Sequence, residues 1–155
     1  MKLKSLLLST ALGVVLTSAT LANTPPSVKA TNVLEAFAES HLTTDANKLE
    51  KILSADAHMK FTKGSEVITQ GQPAIVKLMR LNHGTKQNCS TVVDILASSE
   101  AMVLAKVNFV YEGFVIENYL TLEMDRYQNW KITRIDKFFN EAETPDVLTR
   151  NKKSI

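Results

Sequence analysis

The chain has 155 residues, 18 of them basic and 16 acidic, with three histidines and a single cysteine. One cysteine excludes a disulfide framework, and one cysteine with three scattered histidines excludes a structural zinc site. The near balance of charge excludes a polyelectrolyte surface for nucleic acid, while 45% apolar and 22% charged residues are the proportions of an ordinary folded domain.

Lys2 and Lys4 give the chain a positive start, and Ser5 to Leu21 then carries no charge. The apolar stretch is short for a spanning helix, which needs roughly 20 apolar residues. Thr20-Leu21-Ala22 supplies small residues at a cleavage site. Residues 1–22 therefore read as a signal peptide cut after Ala22, the alternative being an uncleaved anchor. An exported protein, periplasmic or secreted and free of the membrane after cleavage, is expected. A lipid anchor would need a cysteine at the cut, and the single cysteine is Cys89. Removing Lys2 and Lys4 leaves basic and acidic residues equal in number.

Residues 23–29, with Pro25-Pro26, read as an extended leader. Thr31 or Asn32 is a candidate helix cap, with Glu35 near the capping-box position. Val33, Leu34, Phe37, Ala38, His41 and Leu42 recur at helical spacing. Thr43-Thr44-Asp45 breaks that pattern, and Asp45 caps a second, short helix with Leu49, Ile52 and Leu53 on its apolar face. From Ala57 the period becomes two: Met59 and Phe61 alternate with His58 and Lys60. Lys63-Gly64-Ser65 turns the chain into a short strand from Glu66 to Gln70. Pro73 opens a third helix whose buried side is Ile75, Val76, Leu78, Met79 and Leu81, ended by Gly84. Four strands follow: Ser90–Ala97, Ala101–Tyr111, Phe114–Met124 and Trp130–Phe139. Their tight connections predict an antiparallel meander. Cys89 belongs to the first of these strands as a buried, inert thiol. Residues 141–155, with Pro145, read as a loose tail. The fold class is α+β, a curved antiparallel sheet wrapped around three helices.

The order of elements resembles the nuclear transport factor 2-like superfamily over residues 30–140. The phrases that carry the resemblance are Thr44-Asp45, Leu49-Glu50-Lys51-Ile52-Leu53 and Ser54-Ala55-Asp56-Ala57. Near the other end, Tyr119-Leu120-Thr121-Leu122 and Asn129-Trp130-Lys131-Ile132 look like the last two strands of lumazine-binding-like and polyketide-cyclase-like members. The resemblance implies a cone-shaped domain with a cavity at its wide end and homodimers through the outer sheet face. It also implies isomerases, dehydratases, cyclases and binders among the members, so the fold does not settle the function.

Isomerase chemistry in that superfamily needs a carboxylate base on the first strand and a phenol on the first helix. The matching positions hold Phe61 and Phe37, which can perform neither role. Asp56 and His58 are spaced for one strand face, opposite Met59 and Phe61, so His58 points outward. Asp56 is expected to end the second helix or make a turn. His41, one turn beyond Phe37, is the candidate cavity base or ligand donor. His83 suits the C-terminal end of the third helix. Tyr111 and Asn118 add polar groups to strand faces that are otherwise apolar, and Asn118 needs a partner if buried. Arg134 and Asp136 share a face with Trp130 and Ile132 under strict alternation, paired with each other or forming an anion site. Asn88-Cys89-Ser90 formally matches a glycosylation acceptor, and Asn151-Lys152-Lys153 is too short for a nucleic-acid site. No phosphate loop, nucleophile elbow or metal-spaced cluster is present.

The expectation is an exported domain that binds a small, largely apolar ligand, with no cofactor and no metal. Its pocket residues are Phe37, His41, Met59, Phe61, Tyr111 and Asn118. Two alternatives stay open: a dehydratase- or cyclase-type enzyme with His41 as base, and a homodimeric interaction module.

Overall fold

The computed structural model describes residues 28–141. The signal peptide expected at 1–22, most of the leader and the tail from residue 142 lie outside the described residues. The elements run α1 (Val28–Thr43), α2 (Ala46–Ile52), β1 (Leu53–Lys63), β2 (Glu66–Gly71) and α3 (Gln72–Leu81). β3 (Ser90–Ser98), β4 (Met102–Val110), β5 (Phe114–Met124) and β6 (Trp130–Glu141) complete the domain. This is the α+β order expected from the sequence. The strands make one open six-stranded sheet in the order β2-β1-β6-β5-β4-β3. All neighbours are antiparallel except β1 and β6, which pair in parallel and bring the two halves of the chain together.

α1 buries Ala30, Leu34, Phe37 and Ala38, a stripe at helical spacing that lies against β4 and β6. It begins at Val28, so Thr31 and Asn32 lie inside the helix rather than at its N-cap. It ends where Thr44 takes a positive φ of 49°. That conformation is strained for a β-branched residue. Two hydrogen bonds hold it: Asp45 N–H donates to Ser40 O at 2.9 Å, and the Thr44 hydroxyl donates to Thr85 O at 2.8 Å. Asp45 then caps α2, as expected, by accepting from Lys48 N–H at 3.0 Å.

Four local expectations need correction. β1 starts at Leu53, directly after α2, so Asp56 neither ends a helix nor makes a turn. It stands exposed in the strand and accepts from the Ser54 hydroxyl at 2.7 Å. α3 ends at Leu81, before Gly84, and buries only Ile75 and Val76 completely. Leu78 and Leu81 are exposed, since α3 packs mainly on β1, α2 and β2 through Ile75 and Val76. Cys89 precedes β3 rather than lying in it, and is half-buried. The strand behind it is a sheet edge, largely exposed along its length.

The fourth correction concerns β6. Opposite β5, Leu122 pairs with Ile132 but Thr121 pairs with Arg134, so Thr133 is an extra residue in the ladder. A bulge of this kind reverses the facing of every residue beyond it. Trp130 and Ile132 are buried before it; Ile135, not Arg134, is buried after it. Arg134 and Asp136 therefore do not share a face with Trp130 and Ile132. They lie on the outer face, paired at 2.7 Å, and Lys137 turns inward in their place. The β1–β6 ladder is interrupted at the same point: Leu53 pairs with Ile132 and His58 with Arg134, so residues 54–57 of β1 stand against Thr133 alone.

The inner face of the sheet beyond β3 carries Val103, Ala105, Val107 and Phe109 from β4. It continues with Ile116, Leu120 and Leu122 from β5 and Trp130, Ile132 and Ile135 from β6. The bulge sits in the middle of this core. Deleting Thr133 is expected to direct Arg134 and Asp136 into the core and abolish cooperative urea unfolding. Thr133→Ala, which loses only a partly exposed hydroxyl, is expected to cost below about 1 kcal/mol in the same measurement.

Candidate functional site

Between the helices and the inner face of the sheet lies a cavity of about 400 Å³. Small-ligand sites fall in the range of about 300–1,000 Å³. α1 contributes Phe37, Ser40 and His41 to its wall, and α2 with the preceding turn contributes Thr44 and Leu49. Met59 of β1 and Ile75, Leu78 and Met79 of α3 form one side. Tyr111, Phe114, Ile116 and Asn118 form the opposite side, joined by Ile135, Lys137 and Phe139 of β6. Asn82 and Gln87 come from the segment between α3 and β3.

Of the pocket residues expected from the sequence, Phe37, His41, Met59, Tyr111 and Asn118 are therefore on this wall. Phe61 is not: it is partly buried and packs against the core outside the cavity lining. His58 and Asp56 lie off the cavity too, consistent with their facing away from the buried Ala57 and Met59.

Three polar side chains are linked. His41 Nε2 lies 2.9 Å from the Tyr111 hydroxyl, and that hydroxyl donates to Gln87 Oε1 at 3.0 Å. With the Tyr111 proton committed to Gln87, Nε2 of His41 carries the hydrogen and donates to the phenol oxygen, leaving Nδ1 as an acceptor. The link depends on how the 82–89 segment is held. Gln87 N–H donates to Leu42 O at 2.9 Å, and Thr85 O accepts from Thr44, so both contacts pin the segment to the end of α1. Nothing periodic in the sequence marks Gln87 for this position.

The aromatic rings stack around the link. His41 lies on Phe109, with ring centroids 3.7 Å apart, and Tyr111 lies on Phe114 at 4.5 Å. Burial removes water from both polar rings and so disfavours their charged forms. It lowers the His41 pKa to about 4, with the positive charge of Lys137 pushing the same way. Burial also raises the Tyr111 pKa to about 12, helped by the Cys89 thiol beside it. Both side chains are thus neutral at neutral pH.

Asn118 is 1% exposed. Its amide donates to Val107 O at 3.1 Å, with a longer contact to Ile116 O at 3.4 Å, while its Oδ1 is buried without a partner. Directly across the strand pair from Asn118 is Lys137. Lys137 is half-buried, and the loss of water around its amine lowers its pKa. The bulge at Thr133 is what aims Lys137 here, and strict alternation along β6 would have left it outside. Ser40 is less available, since its hydroxyl donates to Phe37 O at 2.8 Å. Among the described residues no carboxylate lines the cavity, and no group of three or more His, Cys, Asp and Glu side chains is placed to hold a metal ion.

No helix among the described residues is long and apolar enough to cross a membrane. No curated protein matches the chain. Among solved structures it is similar to an NTF2-like protein of unknown function from Shewanella baltica. The TM-score is 0.65 at 10% identity, over 74% of this chain and 93% of that one. An NTF2-like protein of unknown function from Silicibacter pomeroyi gives a TM-score of 0.62 at 14% identity, over 71% and 92% of the two chains. A ketosteroid isomerase-like protein from Erwinia carotovora atroseptica gives 0.57 at 9% identity, over 74% and 95%. At these identities the likeness establishes the fold alone. The family model described as "Putative lumazine-binding" matches residues 26–140, nearly the whole of the described domain. The chain belongs to that lumazine-binding-type family, and its fold is the one those NTF2-like structures share.

Proposed function

We propose that this protein is an exported binder of a small, largely apolar molecule, held in the cavity between α1, α3 and the sheet. The observation that carries the proposal is the cavity itself: about 400 Å³, walled mainly by aliphatic and aromatic side chains, with a few convergent polar groups. The family's own description, which names a small heterocycle as ligand, supports the same class of function. Export rests on residues 1–22 alone.

The geometry favours binding over general-base catalysis by His41. A base works best when its pKa lies near the working pH. At about 4, His41 is unprotonated but weakly basic, and its partner is a phenol rather than an orienting carboxylate. A hydrogen-bonding role toward a ligand, through Nδ1, suits it better.

A second proposal concerns the outer sheet face. Leu104 and Phe138 are 37% and 45% exposed there, beside Tyr119 and the Arg134–Asp136 pair, in a shallow depression of the sheet. Exposed apolar surface bounded by charge is the mark of an interaction face. We propose that a second copy of this chain covers it.

Three outcomes are expected. Native mass spectrometry of protein from the exported fraction should show a chain starting at Asn23 with a retained small molecule. Met79→Trp, which fills the cavity, should lose that molecule; retention in the variant would place the ligand elsewhere. By analytical ultracentrifugation the protein should sediment as a dimer, and Leu104→Glu with Phe138→Glu as a monomer; a wild-type monomer would end the dimer proposal. The third outcome concerns pH. His41 has an ordinary pKa of 6.5 when unfolded and about 4 when folded. Between those values the unfolded chain binds a proton that the folded chain refuses. Stability from this group is full above pH 6.5 and falls as the pH drops toward 4. His41→Gln should flatten that part of the stability curve, and the ring's NMR titration should centre near 4 rather than 6.5.

A further inference from the structure

The cavity has a lopsided inventory of charge. Its wall includes Lys137 and, among the described residues, no Asp or Glu. Nor does the Lys137 ammonium have a hydrogen-bond or ion-pair partner among them. A half-buried charge without a partner loses part of its hydration with nothing in return. The groups that face it are neutral: His41 from α1, Tyr111 from the end of β4 and Asn118 from β5. A methionine in this position would pack on Ile135 and Phe139 with no such cost.

Two polar needs therefore coincide on one strand pair. Lys137 lacks an anion, and Asn118 Oδ1, its cross-strand neighbour's acceptor, lacks a donor. A lysine ammonium has three donors. One can serve Asn118 Oδ1 while the other two hold a bound carboxylate. Around this polar corner the wall is apolar, from Leu49, Met59, Ile75 and Met79, with room for a hydrocarbon or aromatic body.

We propose that the ligand is an amphipathic monoanion, an apolar body with a single carboxylate, and that Lys137 pairs with that carboxylate. This rests on the ligand-binding reading of the same cavity and specifies its ligand class. A carboxylate in a dehydrated corner gains more from one fixed cation than it would in water. The lowered pKa of Lys137 accords with this, because an arriving anion favours the ammonium form that burial disfavours.

The test is calorimetric titration of the purified protein with decanoate and naphthoate, each against its matching alcohol. The carboxylates should bind tighter than the alcohols by about tenfold or more, the size of a charge-assisted hydrogen bond. Lys137→Met should erase that preference, bringing each acid to the affinity of its matching alcohol. Lys137→Arg should keep it. Equal binding of acids and alcohols by the wild type would overturn the carboxylate assignment and leave the cavity reading standing. A preference that survives in Lys137→Met would remove Lys137 from the site. Binding of neither class would overturn the cavity reading and this inference together. Thermal unfolding of both variants separates lost binding from lost fold.

Discussion

A two-faced strand has one rule, that every second residue meets the core, and β6 breaks it once. The extra residue at Thr133 lies at the centre of the sheet, where β6 is hydrogen-bonded to β5 on one side and to β1 on the other. Before it, Trp130 and Ile132 face inward; after it, Ile135, Lys137 and Phe139 do. The core is apolar on both sides of the break because the shift exchanges Arg134 and Asp136 for Ile135. Without it an ion pair would be buried in the middle of the domain, at a cost that its own attraction would not offset. The same shift supplies the cavity with its one cation. A structural requirement of the core and a chemical feature of the site thus have a common origin.

The cavity exists because the helices cover only part of the sheet. α1 lies along the core and α3 leans on β1 and β2, and between them the first residues of β5 and the last of β6 line the cavity. What occupies the wall there is mostly apolar, and the polar groups are few and already connected. His41, Tyr111 and Gln87 form a chain of contacts held by the segment pinned to the end of α1. Burial keeps both rings of this chain neutral near neutral pH.

Sharing this fold says little about chemistry by itself, because one curved sheet with three helices serves many sites. The differences lie in which side chains the inner face presents at its open end. Here the presentation is aromatic stacking, one amide with a spare acceptor and one half-buried amine. The outer face presents something else again, with the ion pairs Lys106–Glu117 and Arg134–Asp136 set beside exposed Leu104 and Phe138.

Local pattern alone determined the number and order of the elements. The Asp45 cap, the Gly64 turn and the alternation in β4 and β5 are written in neighbouring residues and obey periods of 3.6 and 2. It also pointed to part of the cavity wall: Phe37, His41, Met59, Tyr111 and Asn118 lie on it. Only the tertiary structure decided the rest. Phe61 packs against the core but misses the cavity lining, which alternation along β1 does not reveal. Gln87 reaches Tyr111 because a segment without any period is tied to α1 by long-range hydrogen bonds. Lys137 faces inward because a bulge is set by agreement among three strands, β1, β5 and β6. A single strand's alternation contains no record of its partners' register, so a one-residue shift, and the charge it carries into the cavity, can be seen only when all three are assembled.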